Sequence, residues 1–190
     1  ITYGDLEFRR VLFRSILQRV WQDHKWLDSS SVVNKVGGGG SLTYTYVTQR
    51  SGDAHAVAVA RTALLSNQIL GLSNLNHNDV TALGLIGDEA MAFAVRADSP
   101  IKSLRDLVAR WKADPQSLSI SIGSARGSTT HFLAARVARL AGVDPRRLKL
   151  ITFGGSADSI TNLLGGHIDG ASLAFNSLLR QHQAGGIRII

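Results

Sequence analysis

Along this chain the hydrophobic positions change period repeatedly, from the spacing of an amphipathic helix to the short apolar runs of buried strands. Ile16–Leu27 puts Leu17, Val20, Trp21 and Leu27 at helical spacing, and Ser30–Asn34 (SSVVN) reads as a short strand. Four glycines, Gly37–Gly40, precede an expected helix over Ser41–Arg50. AVAVA at Ala56–Ala60 reads as a buried strand, followed by loop and helix over Thr62–Leu72 and a polar connector at Asn74–Asp79. Thr81–Ile86 and Met91–Arg96 read as strands around Gly87-Asp88, and Ser99-Pro100 punctuates the chain. Ser103 is placed to cap a helix over Leu104–Ala113, with Leu104, Leu107, Val108 and Trp111 on one face, and Asp114-Pro115 ends it.

From there helix and strand alternate. Strands are expected at Leu118–Ile122, Leu148–Phe153 and Ile168–Leu173, and Ile187–Ile190 opens another. Helices are expected at Thr129–Leu140, Ala157–Leu164 (with Ser156 as N-cap) and Ser177–Gln183. Such alternation predicts an α/β fold with largely parallel sheets. In those sheets ligands sit beyond the carboxyl ends of strands, where loops lead into helices.

Three strand-to-helix junctions offer binding chemistry. In Ile122–His131 (IGSARGSTTH) a Gly/Ser loop, Gly123–Ser128, opens a helix. Its first N–H groups lack intrahelical partners and carry partial positive charge. With the hydroxyls of Ser128, Thr129 and Thr130, and Arg126 for a bidentate contact, it reads as a cradle for a carboxylate or phosphate. The same residues also suit an ordinary N-capped helix after a glycine turn. Phe153–Ser156 (FGGS) allows a second cradle or a simple tight turn. Arg61, after AVAVA, allows an anion contact or a surface arginine.

Charge leaves this picture standing. A formal net charge of +7 favours anionic partners in general. The basic residues are scattered, and with only 6% aromatics no stacking platform accompanies them, so no nucleic-acid partner is expected. The absence of cysteine excludes disulfides, thiolate metal sites and a cysteine nucleophile. The chain holds no G-x-S-x-G, no G-x-x-x-x-G-K-[ST], and no G-x-G-x-x-G between strand and helix. The six histidines lack ligand spacing. His131 reads as a hydrogen-bonded structural residue rather than a base, and Asp169 as a tie between loop and backbone. No catalysis, metal or cofactor is therefore expected.

The N-terminus differs in character. Glu7–Ser15 (EFRRVLFRS) resembles the conceptual translation of a sequencing adaptor carried into a reading frame, and residues 1–15 are expected to be non-native. The same stretch also allows an amphipathic helix, or a basic membrane-surface helix with Arg9, Arg10 and Arg14 beside Phe8 and Phe13.

Taken in order from about Ile16 to Ile190, these segments resemble the substrate-binding proteins of tripartite tricarboxylate transporters, the Bug-type receptors. VVNKVGGGGSL is similar to the family's VENRPGAGG stretch. IGSARGSTTH is similar to its serine- and glycine-rich ligand loop, and ITFGGSADSITNLLGGHIDGA to its GG-x-A-x-x-x-L-L-GG-x-x-D stretch. The resemblance implies a type II periplasmic binding protein fold of two lobes, here with the first lobe incomplete. It implies a partial first lobe over 16–91, a second lobe over 92–184, and a start of the return to the first lobe at 185–190. It also implies capture of a small organic anion between the lobes and delivery to integral membrane permease subunits, in the periplasm. By matching position, the ligand contacts are Arg61, Thr62, Ser124, Arg126, Gly127, Ser128, Thr129, Thr130, Gly154, Gly155, Ser156, Phe175, Asn176 and Ser177. Because the family's first ligand loop has no counterpart here, this chain is expected to bind ligand weakly or not at all. The alternative function is the effector-binding domain of a transcriptional regulator, which shares this architecture.

Overall fold

The structure is a computed structural model that describes residues 16–33, 35, 41–123 and 125–190. The adaptor-like string, the glycine run at 37–40, Asn34 and Ser124 lie outside the described residues. The chain divides into two compact units, Ile1–Leu85 and Ile86–Ile190.

In the first unit, helix α1 covers residues 16–23, α2 Ser41–Thr48 and α3 Ala63–Ile69. Helix α2 packs on α3 and buries Tyr44, whose hydroxyl accepts from the Arg61 N–H at 3.1 Å. Tyr46 presents its ring to the Lys35 ammonium at 4.6 Å and the Arg50 guanidinium at 3.6 Å. The connector at 74–79 tightens into a 3-10 turn, His77–Asp79, closed by a reciprocal capping box between Asn76 and Asp79.

The strands expected at 30–34, 56–60 and 81–86 are not formed by the described residues of this unit. The reason is physical. A strand's backbone N–H and C=O groups find no partners within the strand and need another strand beside it. Apolar composition alone supplies no such neighbour, and Leu83 and Leu85 stand exposed.

The second unit meets that requirement. Strand β1 is Met91–Arg96, β2 Ser119–Ser121, β3 Lys149–Ile151, β4 Gly170–Ala174 and β5 Ile187–Ile189. Among the described residues they form a five-stranded sheet in the order β3-β2-β4-β1-β5. Strand β2 runs parallel to both β3 and β4, while β1 is antiparallel to β4 and to β5. Residues 187–189 thus form one of the two edge strands of this sheet, β3 being the other.

Helices cover both faces: α4 is Leu104–Ala113, α5 Thr129–Leu140, α6 Ser156–Leu164 and α7 Phe175–Gln183. Alternation along the strands sorts the core. Phe93 and Val95 of β1 and Ile120 of β2, with Ile122 just beyond it, pack with Leu107 and Trp111 of α4 and Ala134 and Ala138 of α5. Phe93 meets Trp111 edge to face, with ring centroids 5.8 Å apart. On the other side Ala94, Ala171 and Leu173 pack with Leu163 of α6 and Leu178 of α7. Gly170 permits the close approach in the sheet's middle, since a Cβ there would lie 2.9 Å from Ile120 Cδ1 and 3.2 Å from the Ala94 carbonyl.

The caps follow local chemistry. The Ser103 side chain accepts from the Asp106 N–H, as expected for the start of α4. Helix α6 departs from expectation: Gly155 is its N-cap without a side-chain bond, and Ser156 is its first helical residue. At the opposite end of the sheet, Asp169 Oδ2 accepts from the Ser119 N–H at 2.8 Å and from its hydroxyl at 2.6 Å, the expected tie.

Candidate functional site

Because β2, β3 and β4 are parallel, their carboxyl ends lie along one edge of the sheet. Each leads into a helix: β2 into α5, β3 into α6 and β4 directly into α7. The N-termini of α5, α6 and α7 therefore rise from the same edge. Gly127–Thr130, Gly154–Ser156 and Phe175–Ser177 are the residues at those starts, so the fold gathers them from across about fifty positions of sequence.

The β2–α5 loop is held from within. Gly123 and Gly127 have φ of +70° and +80°, a region costly for residues with a side chain. The Thr130 hydroxyl donates to the Ile122 carbonyl at 2.7 Å and lies 2.8 Å from the Ser128 hydroxyl. The Ser128 hydroxyl donates to the Ala125 carbonyl at 2.8 Å and accepts from the His131 N–H at 3.3 Å, which makes Ser128 the N-cap of α5. The Ser172 hydroxyl of β4 donates to the Thr130 carbonyl at 2.8 Å and anchors the first turn of α5 to the sheet. Arg126 is exposed beside this frame.

His131 closes the loop from the helix side. Its Nδ1 accepts from the Gly127 N–H at 2.9 Å. An accepting Nδ1 carries no proton, so the bond selects the neutral imidazole with its proton on Nε2. Burial holds the histidine below its ordinary value, and the Arg126 charge adds to that.

Two buried serines join this loop to the next one. The Gly123 N–H donates to Ser121 Oγ at 3.2 Å, Ser121 Oγ donates to Ser159 Oγ at 2.7 Å, and Ser159 Oγ donates to the Gly155 carbonyl at 2.8 Å. The Phe153 N–H also donates to the Gly123 carbonyl at 2.8 Å. Both serines are fully buried. Nothing in the sequence marks them as functional, because serine among apolar residues in a strand and in a helix carries no motif. The one available signal is the polar position within each apolar stretch.

The three helix starts are not equivalent. At α6 a Cβ on Gly154 would meet the Asp158 carboxylate, so that acidic group already lies against the turn. Helix α7 has no acidic residue in its first turn and no side-chain cap at Ala174. Its Phe175 N–H donates to the Ala90 carbonyl at 2.8 Å, and Ser177 Oγ is buried with no hydrogen-bond partner among the described residues. Phe175 and Asn176 are exposed.

Arg61 and Thr62 belong to the first unit. Arg61 is exposed, and Thr62 precedes α3 without a side-chain capping bond. Ser124 lies outside the described residues.

A family model described as the tripartite tricarboxylate transporter family receptor matches residues 19–190. The chain belongs to that family. Among receptors of this kind, a solved solute-binding protein from Polaromonas is 27% identical, with a TM-score of 0.74 over 93% of this chain and 60% of its own. A malate-bound protein of Rhodopseudomonas palustris is 20% identical, with a TM-score of 0.63 over 84% of this chain and 54% of its own. An adipate-bound protein of R. palustris is 18% identical, with a TM-score of 0.67 over 94% of this chain and 59% of its own. A Cupriavidus necator protein described as a UPF0065 protein in the gbd 5′ region is 30% identical over 141 residues, 72% of this chain and 41% of its own. This family member thus spans well under two thirds of the length of these relatives. Its mixed α/β fold is that of periplasmic binding proteins, and its family is one of solute-binding receptors.

Proposed function

We propose that this chain is part of an extracytoplasmic receptor that holds a carboxylate of a small organic anion at the carboxyl edge of β2, β4 and β3. In this reading the receptor works in the periplasm and hands its ligand to the permease subunits of a tripartite transporter. The observation that carries it is the convergence of the α5, α6 and α7 N-termini on one sheet edge. Helix N-termini offer N–H groups and partial positive charge, the match for a carboxylate. Hydroxyls at Thr129, Ser156 and Ser177, and the guanidinium of Arg126, add donors of the same kind, while Ser128, whose hydroxyl donates to the Ala125 carbonyl, offers its backbone N–H. Malate and adipate, bound by the two R. palustris proteins, are small dicarboxylates of that chemistry. Thr130 serves differently, since its hydroxyl is engaged with the Ile122 carbonyl and it supports the loop. Gly127, Gly154 and Gly155 supply backbone, and Phe175 and Asn176 the α7 end. Arg61 and Thr62, which belong to the first unit, and Ser124 are proposed as ligand contacts only by matching position in the family. With the family assigned, the receptor takes precedence over the regulator's effector domain, and the chain is read as no enzyme.

The test is a titration of the 15N-labelled chain with malate and with adipate, against sodium chloride at matched ionic strength. Saturable amide shifts at Gly127–Thr130, Gly155-Ser156 and Asn176-Ser177 are the expected result. Shifts absent there, or equal to those from chloride, refute the site. Periplasmic placement is tested by whether osmotic shock releases the whole protein from cells.

A further inference from the structure

We propose that His131 is a positioning residue for the ligand loop: as neutral imidazole it holds Gly127, and with it Arg126 and Ser128, in the geometry that receives the anion, and protonation releases that loop. The inference rests on the receptor reading for its consequence, though not for its mechanism.

The Gly127 N–H points at His131 Nδ1 from 2.9 Å, and Gly127 is buried. A second proton on the imidazole would go onto Nδ1 and set two donors face to face, N–H against N–H. The bond cannot then exist, and the buried amide loses its partner. Gly127 lies between Arg126 and Ser128 and has φ of +80°, so a change there redirects Arg126, the neighbour that no other bond named above holds. The rest of the loop does not depend on the imidazole: Thr130 holds Ile122, Ser128 holds Ala125, and Ser172 holds Thr130. Releasing Gly127 therefore loosens the segment around Arg126 and leaves the start of α5 in place.

The surroundings favour the neutral ring. The first turn of α5 rests on β4 (GASLA), which carries no titratable side chain, and neither does β2 (SIS). The other elements packed on α5 bring Arg96 of β1, Arg105, Asp106, Arg110 and Lys112 of α4, and Arg146 and Arg147 of the 3-10 turn Pro145–Arg147. The carboxylates there are engaged elsewhere: Asp106 takes the Lys102 and Ser103 donors, and Asp144 takes Arg146. Arg126 is the charge that acts on the ring, and it opposes a second positive charge. Histidine responds between about pH 5 and 8, so the release falls on the acid side of that range.

The experiment has two arms. In the first, the ligand-free 15N-labelled chain is titrated from about pH 8 to 5 while the His131 ring nitrogens and the Gly127 amide are followed together. A Gly127 amide that moves with the imidazole, with the same midpoint, supports the switch; a Gly127 amide indifferent to the ring overturns it. In the second, malate is the probe and H131N the control, since Asn Oδ1 can accept from Gly127 but does not titrate. Wild-type affinity should fall about fivefold to tenfold on acidification, the scale of one lost hydrogen bond, while H131N stays level. H131L, which removes the acceptor, should bind weakly at every pH. Equal pH profiles for wild type and H131N overturn the proposal, as does an affinity that rises on acidification, because an imidazolium would then be acting as an anion partner. A chain whose Gly127 follows the ring yet binds no malate at any pH supports the switch and sinks the receptor reading instead.

Discussion

The serine chain between the two glycine loops makes a sharp prediction at Ser159. Replacing it with alanine removes the acceptor of the Ser121 hydroxyl and one of two donors to the Gly155 carbonyl. That carbonyl keeps the Ser159 N–H, at 3.1 Å, so it is not orphaned. The Ser121 hydroxyl keeps the Gly123 N–H but loses the acceptor for its own proton, at a position with no solvent exposure. A buried polar group without its partner costs about 1–3 kcal/mol. The void left by one hydroxyl is smaller than a methyl group and adds little. Ser159→Ala should therefore destabilise the second unit by about 1–3 kcal/mol, with an unchanged denaturant slope. The assay is urea unfolding followed through the amide signals of Ile120 and Leu173, which report on that unit's core. Ser121→Ala with Ser159→Ala should cost less than the sum of the single changes, since contacting residues couple. A Ser159→Ala protein within about 0.5 kcal/mol of wild type would refute the chain, because surface-like substitutions stay inside that range.

Three further outcomes follow from the same geometry. Arg126→Gln should leave stability unchanged within about 0.5 kcal/mol, because the side chain is exposed, and should weaken malate binding most at low salt, as calorimetry over a salt series would read. Gly123→Ala should cost about 1–2 kcal/mol in urea unfolding, from its φ of +70°. Its Cβ would find ordinary contacts, 3.5 Å from Leu173 and 3.7 Å from Thr130, so a larger loss would contradict the backbone explanation. Asp106 is held below the usual carboxylate range, first by the Lys102 N–H and then by the Ser103 hydroxyl. Its charged form is favoured in the folded state, so its contribution is complete above the ordinary carboxylate value and is lost as pH falls through the lowered one. Asp106→Asn should flatten the acid limb of a thermal-melt profile, and an unaltered limb would count against that role.

What the sequence by itself determined is mainly local. The bounds of β1, α4 and α5 follow from periods, from Ser103 at one helix start and from the turn residues beside them, because these signals act within a few residues. The loop Gly123–Ser128 was legible for the same reason: glycine and serine between a strand and a helix have few other uses. The tertiary structure decided the rest. AVAVA and Thr81–Ile86 have the composition of strands and are none, since pairing is made by a neighbour and no composition encodes one. The parallel placement of β2 between β3 and β4 brings three helix starts to one edge, across separations that no local pattern spans. Ser121 and Ser159 look like ordinary core and helix positions. Only contact across the fold turns them into the bonds that hold the ligand loops, because a hydrogen bond depends on where its partner is and not on the residue alone.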